Sequence, residues 1–240
     1  MEKFSIIIVT WQNRVMLNRC IDLIRKHSDI NHQIIVAHNE HKGEEKIKDA
    51  HNILFCKNVG LCKAANEASL YANTNYICLI DDDIEVLPKW DINLFNNDIY
   101  KNWIASTRIE PIAPHYNISC DDYKKGKIPE KFYHNISNTP LLIPRKFWEK
   151  IGGYDEDFVT IGAELGLAKK AYDAGERLFL QTPNSMVIHK QSQSTKRLLG
   201  IANIRKQRDR TFSIKYGMTR KKFIKIIKKG EVFNPWEYYE

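Results

Sequence analysis

The sequence predicts an α/β protein with a doubly wound, mostly parallel central sheet flanked by helices. Three observations carry this prediction. Short apolar, β-branched runs recur at 4–10, 34–37, 53–56 and 76–80, and bounded runs of this kind are strands covered on both faces. Segments with apolar residues at helical spacing lie between them, at 15–27 and 61–71. The fourth run, Tyr76 to Ile80, ends abruptly in Asp81-Asp82-Asp83. Strand, helix, strand, strand, helix, strand is the order of a parallel sheet. Ligands of such sheets bind at the carboxyl ends of strands, so Thr10, His38, Asn39 and the three aspartates are expected on one rim.

The elements follow in order. Phe4–Thr10 is nearly all apolar and reads as a central strand. In the segment after it, Val15, Met16, Cys20, Leu23 and Ile24 fall close to helical spacing. Ile34–Ala37 is a second buried strand, and the polar stretch 39–48 is loop or a short exposed helix. Ile53–Cys56 is a third strand, and Asn58-Val59-Gly60 opens the helix 61–71. Beyond the acid triplet, Trp103–Ile109 reads as a strand. The Pro-, Gly- and Asn-rich segment 111–129 reads as a long loop of the kind that often forms a functional lid. Pro140–Pro144 is a short strand, Arg145–Lys150 a helical turn, and Gly152–Glu156 a tight turn. Glu164–Ala174 is a helix stopped by Gly175, and Met186–His189 is a late strand.

Composition bounds the function. The 240 residues are 43% hydrophobic, enough for a real core, and suit one large domain or two small ones. No stretch approaches the roughly 20 apolar residues of a membrane span, and residues 1–10 lack the pattern of a secretory leader. Cys20, Cys56, Cys62, Cys78 and Cys120 form no C-x-x-C pair; they read as reduced thiols of a cytoplasmic protein, with no structural zinc site. The sequons at Asn117 and Asn135 are discounted accordingly. The net charge of +8 is uneven. Thirteen Lys or Arg and one acid, Asp209, fall between Lys196 and Lys229, so the rest of the chain is slightly acidic. Such a tail predicts an anionic neighbour. Phe223, Ile226 and Ile227 follow helical spacing among the lysines. The helix is read either as lying on the inner face of an anionic membrane or as packing on the domain. Nucleic acid ranks last, because no aromatic stacking pattern accompanies the charges.

The acid triplet carries the chemistry. Three carboxylates at a strand tip repel one another unless a cation sits among them. Residues i and i+2 of an extended backbone point the same way, so Asp81 and Asp83 are expected to face one partner, a hard divalent cation shared with nucleotide phosphates. Other pieces then line up in sequence: Val9 to Arg14, Asn58-Val59-Gly60 with Ala64 and Asn66, Ile80–Asp83, Gly152 to Phe158, Gly162-Ala163-Glu164, and His189 with Ser192 and Ser194. The run Phe212 to Gly217 follows the core.

In these motifs the chain resembles the family 2 glycosyltransferases of the GT-A (Rossmann-like) fold, which use nucleotide-sugar donors and invert the anomeric centre. The resemblance spans residues 4–194. It implies a glycosyltransferase domain at 1–195, with a nucleotide-sugar-binding half at 1–100 and an acceptor-binding half at 101–195. A basic helical extension occupies 196–240. It implies Mn2+ or Mg2+ held by Asp81, Asp83 and His189, and a nucleoside-diphosphate sugar, foremost a UDP-sugar, contacted by Thr10, Asn13, His38, Asn39, Asn58, Lys63, Asp81 and Asp82. The acceptor is a glycan, lipid-linked or other hydroxyl.

Two positions depart from the family pattern. His38 stands where an Asp often meets the base, which leaves uracil preference open. Ala163-Glu164 stands where the family has a Glu-Asp pair, so Glu164 is the expected general base; Asp155, Glu156 and Asp157 are the alternatives. The rival readings are a catalytically decayed nucleotide-sugar-binding protein and a sugar-phosphate nucleotidyltransferase, although the latter's Gly-rich loop after the first strand is missing. A P-loop NTPase is excluded by the absence of G-x-x-x-x-G-K-[ST].

Overall fold

The computed structural model describes residues 3–95, 102–110, 118–127, 133–134, 136, 139–158, 161–190 and 201–227. In chain order the elements are β1 (Ser5–Thr10), α1 (Arg14–His27), β2 (Gln33–His38), β3 (His51–Leu54), α2 (Leu61–Ser69), β4 (Tyr76–Asp81), β5 (Ile84–Val86) and α3 (Trp90–Phe95). Next come β6 (Ile104–Glu110), β7 (Ile118–Ser119), α4 (Cys120–Lys124), β8 (Tyr133–His134), β9 (Leu141–Pro144) and α5 (Arg145–Ile151). The last are α6 (Ala163–Asp173), β10 (Leu180–His189), α7 (Ile201–Tyr216) and α8 (Arg220–Ile227).

One mixed sheet runs β3-β2-β1-β4-β9-β6-β10-β5, with β7 on β6 and β8 on β10. The first four strands are parallel, β9 is antiparallel to both neighbours, and β10 runs parallel to β6. Alternation along β1 divides the core. Ile7 joins the layer formed with α2, α5, α6, α7 and α8, and Ile6 and Ile8 join the layer with α1 and α3.

The sheet has to curl. β4 and β5 are separated by Asp82 and Asp83 alone, and three residue steps reach at most about 11 Å. In the strand order β5 lies four strand spacings from β4, about 19 Å across a flat sheet. Curling brings the end of β10 back to the tip of β4. A register shift in the β10–β6 pairing between Thr182 and Met186 marks an irregularity along β10.

Several boundaries differ from the sequence reading. β3 starts at His51, not Ile53. It is an edge strand, so its start is set by pairing to β2 (Ile35↔His51) and not by an apolar run. β5, α3 and the full length of α7 have no clean periodic signal. Within the segment read as a long loop, β7 and α4 form at 118–124, where the Ser119 hydroxyl accepts the Asp122 N–H as a helix cap; residues 111–117 and 128–129 of the expected lid lie outside the described residues, as do the sequon residues Asn117 and Asn135. The amphipathic helix of the tail packs on the domain. Phe223 and Ile227 are buried in the same layer as Phe212 and α6, which leaves their apolar face closed to a membrane. Lys228 and Lys229 lie outside the described residues. Among those described, no helix is long and apolar enough to cross a membrane. All five cysteines are free.

Candidate active site

The acid triplet forms where β4 ends and the chain turns into β5. Thr139 fixes the strand tip, its Oγ1 accepting the Asp81 N–H at 2.8 Å. On the far side, β10 pairs antiparallel with β5 so that His189 lies opposite Ile84, and the Lys190 N–H donates to the Asp83 carbonyl at 3.0 Å. This register delivers the imidazole to the carboxylates. His189 Nε2 lies 3.3 Å from Asp83 Oδ1. Asp81, Asp83 and His189 each offer one ligand atom, all within 4.8 Å of one another.

Asp82 points elsewhere. It accepts from Thr10 Oγ1 at 2.7 Å and Asn13 Nδ2 at 3.1 Å. The i and i+2 geometry of the sequence reading is therefore what the fold builds: Asp81 and Asp83 converge and Asp82 turns to the β1 loop.

These carboxylates are electrostatically uncomfortable. Burial, then the Asp83 charge, pushes Asp81 up to about 6, against the pull of His189 and Arg108. Burial and the neighbouring aspartates push Asp82 to about 7, although its bonds from Thr10 and Asn13 oppose the rise. Packing negative charge into a partly desolvated corner disfavours ionisation, and a cation among the oxygens reverses that. Two hard carboxylate oxygens and an imidazole nitrogen suit Mn2+ or Mg2+ and leave coordination positions for phosphate. The donor set fits the expected metal.

Glu164 sits in the first turn of α6, half-buried. Among the described residues, its carboxylate has no hydrogen bond or ion pair, and it lies close enough to raise the pKa of Asp81 and Cys62. Gly162 caps α6 with φ 101°, and a Cβ there would lie 2.5 Å from the Arg208 side chain of α7. The alternative bases are committed elsewhere. Asp155 accepts from Lys215 at 2.6 Å and from the Tyr216 hydroxyl, Asp157 pairs with Lys215 at 2.5 Å, and Glu156 accepts from Asn66 at 2.9 Å. Asn66 also clamps Tyr154, accepting its N–H at 2.8 Å and donating to its carbonyl at 3.0 Å. Lys170 ties the carbonyls of Gly152 and Gly153 at 2.8 Å each. The Gly-Gly turn is thus held from α2 and α6 together.

The remaining predicted residues divide. His38 is buried at the end of β2 and bonds Asn52. Asn39 donates to Asn58 Oδ1 at 2.9 Å and accepts the Val59 N–H at 2.8 Å, so Asn39 and Asn58 join β2 to the start of α2. Lys63 is exposed on α2. Ser192 and Ser194 lie outside the described residues. Sequence reading missed Thr139, in the turn before β9, and Arg108 in β6, whose roles depend on strands far apart in the chain. It gave no role to Arg14 and missed His41, which line a cleft with Thr10 and His38.

Residues 5–98 match the family model described as "Glycosyl transferase family 2". No curated protein matches the chain in sequence. Among solved structures, the crystal structure of GalNAc-T7 with UDP, GalNAc and Mn2+ superposes with a TM-score of 0.63 at 15% identity, over 79% of this chain and 44% of that one. S. aureus TarS 1-349 superposes at 0.60 with 11% identity, over 91% of this chain and 73% of that one. A second S. aureus TarS structure gives 0.54 at 10% identity, over 92% and 44%. The chain spans less than half of the GalNAc-T7 chain, and at these identities the likeness is one of fold.

Proposed function

We propose that this chain is a family 2 glycosyltransferase, as the match of residues 5–98 and the fold support, and that it moves a sugar from a nucleoside-diphosphate donor to an acceptor hydroxyl with inversion. The acceptor is a glycan or a lipid-linked sugar in polysaccharide or glycoconjugate synthesis. The observation that carries the reading is the convergence of Asp81, Asp83 and His189 beside Glu164.

Asp81, Asp83 and His189 would hold a divalent cation. When bound, that ion supplies positive charge against the diphosphate as the sugar bond breaks. Glu164 acts on the acceptor. Its carboxylate takes the hydroxyl proton as the acceptor oxygen bonds to the anomeric carbon, while the bond from that carbon to the diphosphate oxygen breaks and the diphosphate leaves with the electron pair. Attack opposite the leaving group inverts the centre. The freedom of Glu164, set against the commitments of Asp155, Glu156 and Asp157, supports this assignment. Asp82, oriented by Thr10 and Asn13, is proposed to meet the ribose. Asn39, Asn58 and Lys63 would line the path of the base and phosphates. The UDP and Mn2+ of the GalNAc-T7 crystal support a UDP-sugar and Mn2+ here.

A panel of nucleotide sugars, each with Mn2+ or Mg2+, tests the reading through the melting temperature of the full chain. The expected result is stabilisation by at least one of them, abolished by chelator and absent in Asp83→Ala. A melting temperature that no member of the panel shifts overturns the assignment.

A further inference from the structure

The inward stripe of α7 changes character along its length. Tyr216, Phe212, Arg208 and Arg205 recur at four- and three-residue spacing and so share one face of the helix. The C-terminal half of that stripe is packed. Phe212 is fully buried in the layer that holds α6, and the Tyr216 hydroxyl is bonded to Asp155. One turn earlier the stripe reaches the start of α6. Arg208 Cγ and Cδ lie 2.5 and 2.7 Å from where a Cβ on Gly162 would stand. Position 162 thus needs glycine twice, for its φ of 101° and for the arginine stem laid across it. Glu164 is two residues further on, in the first turn of α6.

The charge at this place is not balanced. The Arg208 side chain is 14% exposed, its Nε donating to Asp209 Oδ1 at 2.8 Å. Arg220 Nε claims the same oxygen at 3.1 Å, so two guanidiniums share one carboxylate. The two terminal nitrogens of Arg208 make no hydrogen bond among the described residues. Arg205, one turn nearer the start of α7, is exposed and has no hydrogen bond or ion pair among them either. A stripe that served packing alone would stay apolar past Phe212. This one turns cationic where it passes the start of α6, and a guanidinium with unused donors suits an anion.

We propose that Arg208 and Arg205 form an anion subsite beside the turn that carries Glu164, and that the acceptor bears a phosphoryl group near its attacking hydroxyl. The proposal rests on the glycosyl-transfer reading above and names the class of acceptor within it. A guanidinium meets a carboxylate or a phosphate through two parallel bonds. A carboxylate is planar, and one such fork fills it. A phosphoryl group directs its oxygens tetrahedrally and so accepts from two arginines one turn apart. Held there, the anion decides which hydroxyl is presented to Glu164, and a neutral sugar gains nothing from the pair.

The test is calorimetric titration of the full chain by glucose 6-phosphate, glucuronate and glucose, after saturation with Mn2+ and UDP to fill the cation site. The three sugars differ only at C6, which carries a phosphate ester, a carboxylate or a hydroxyl. Wild type should bind glucose 6-phosphate at least about tenfold more tightly than glucose, the size of one charge-assisted hydrogen bond, with glucuronate between them. Arg208→Gln should cut that margin to about threefold or less, and Arg208→Lys, which keeps the charge without the fork, should retain part of it. Arg210→Gln, at an exposed position on another face of α7, should leave it unchanged. Should Arg208→Gln fail to fold, Arg205→Gln takes its place and should lower the margin at least about threefold. Equal binding of glucose 6-phosphate and glucose overturns the subsite alone. So does a margin that survives in Arg208→Gln while the melting temperature falls, the mark of a purely structural arginine. Glucuronate binding as tightly as glucose 6-phosphate overturns the phosphoryl assignment. Flotation with phosphatidylglycerol vesicles covers the membrane. Vesicle binding that Arg208→Gln abolishes, with no glucose 6-phosphate margin, gives the pair to lipid and overturns the acceptor claim. Failure of UDP to bind in the saturation step overturns the subsite together with the proposed function.

Discussion

The chain carries two runs of three acidic residues, Asp81-Asp82-Asp83 and Asp155-Glu156-Asp157, and the fold treats them in opposite ways. Each carboxylate of the second run has a partner in another element. Lys215 and Tyr216 of α7 hold Asp155, Lys215 also holds Asp157, and Asn66 of α2 holds Glu156. Burial pushes Asp155 up, yet the bonds from Lys215 and Tyr216 win and keep it below the ordinary carboxylate range. The first run is crowded against itself. Its bonds from Thr10 and Asn13 do not offset burial and mutual repulsion, and Asp81 and Asp82 rise to about 6 and about 7. One run is a joint between the domain and its C-terminal helices; the other is short of positive charge, as a cation site is.

The sharpest way to break this comparison is Asp83→Ala. Loss of a metal carboxylate should cut sugar transfer by about 10³-fold or more, equal to several kcal/mol of charge stabilisation. The fold should hold, because removing one of three crowded charges relieves repulsion. Steady-state transfer assays and thermal melting read the two effects, and near-normal transfer in the mutant contradicts the cation site.

Glu164→Gln comes next. It should lower kcat by about 10² to 10⁴-fold, the range for a lost general base, with little change in the donor KM. A fall confined to KM would make Glu164 a binding residue instead.

Asp155→Asn should act on stability. Lys215 is more than a third exposed, so solvent screens part of its contribution, and about 1–2 kcal/mol is expected from urea unfolding. A mutant as stable as wild type but inactive would move the base role to Asp155.

The smallest effect is a difference in pH slope. Asp155, with a depressed folded pKa, stabilises the protein fully above its unfolded pKa of about 3.9, and this is lost as pH falls through the folded value. Asp81 and Asp82 have raised folded values, so their contribution is full below about 3.9 and is lost as pH rises through about 6 to 7. Metal-free Asp155→Asn should therefore become less stable from about pH 4 to about pH 7, and Mn2+ should restore stability at the neutral end. Urea midpoints across that range, with and without Mn2+, check it; a profile that rises with pH in the absence of metal contradicts the account.

Much of the parallel half was legible because its signals are local. The β-branched runs at Ile6–Ile8 and Ile34–Val36 are buried on both faces, and such runs have few other uses. The acid triplet stood out because charges directly follow a buried strand. β3 was displaced because an edge strand takes its limits from its neighbour. β5 was missed because three residues carry no period, and Thr139 because its hydroxyl matters only where β9 has been brought beside β4. The motif that singled out Asn66 was readable, but its role as a clamp on Tyr154 was not, since the two lie 88 residues apart. The two acidic runs are equally charged on paper, and nothing in either run announces which one Lys215 will reach.

By itself, the sequence determined the α/β class, the succession of strands and helices on the rim, and the pairing of Asp81 with Asp83 on one side of the backbone. All follow from short-range steric and periodic rules that hold before the chain closes. Tertiary structure decided the rest: that β10 returns His189 to Asp83, that α7 neutralises Asp155 and Asp157, and that Asn52 bonds His38. Those outcomes depend on groups distant in the chain meeting at hydrogen-bonding distance, and such meetings are set by how the sheet curls and the layers pack.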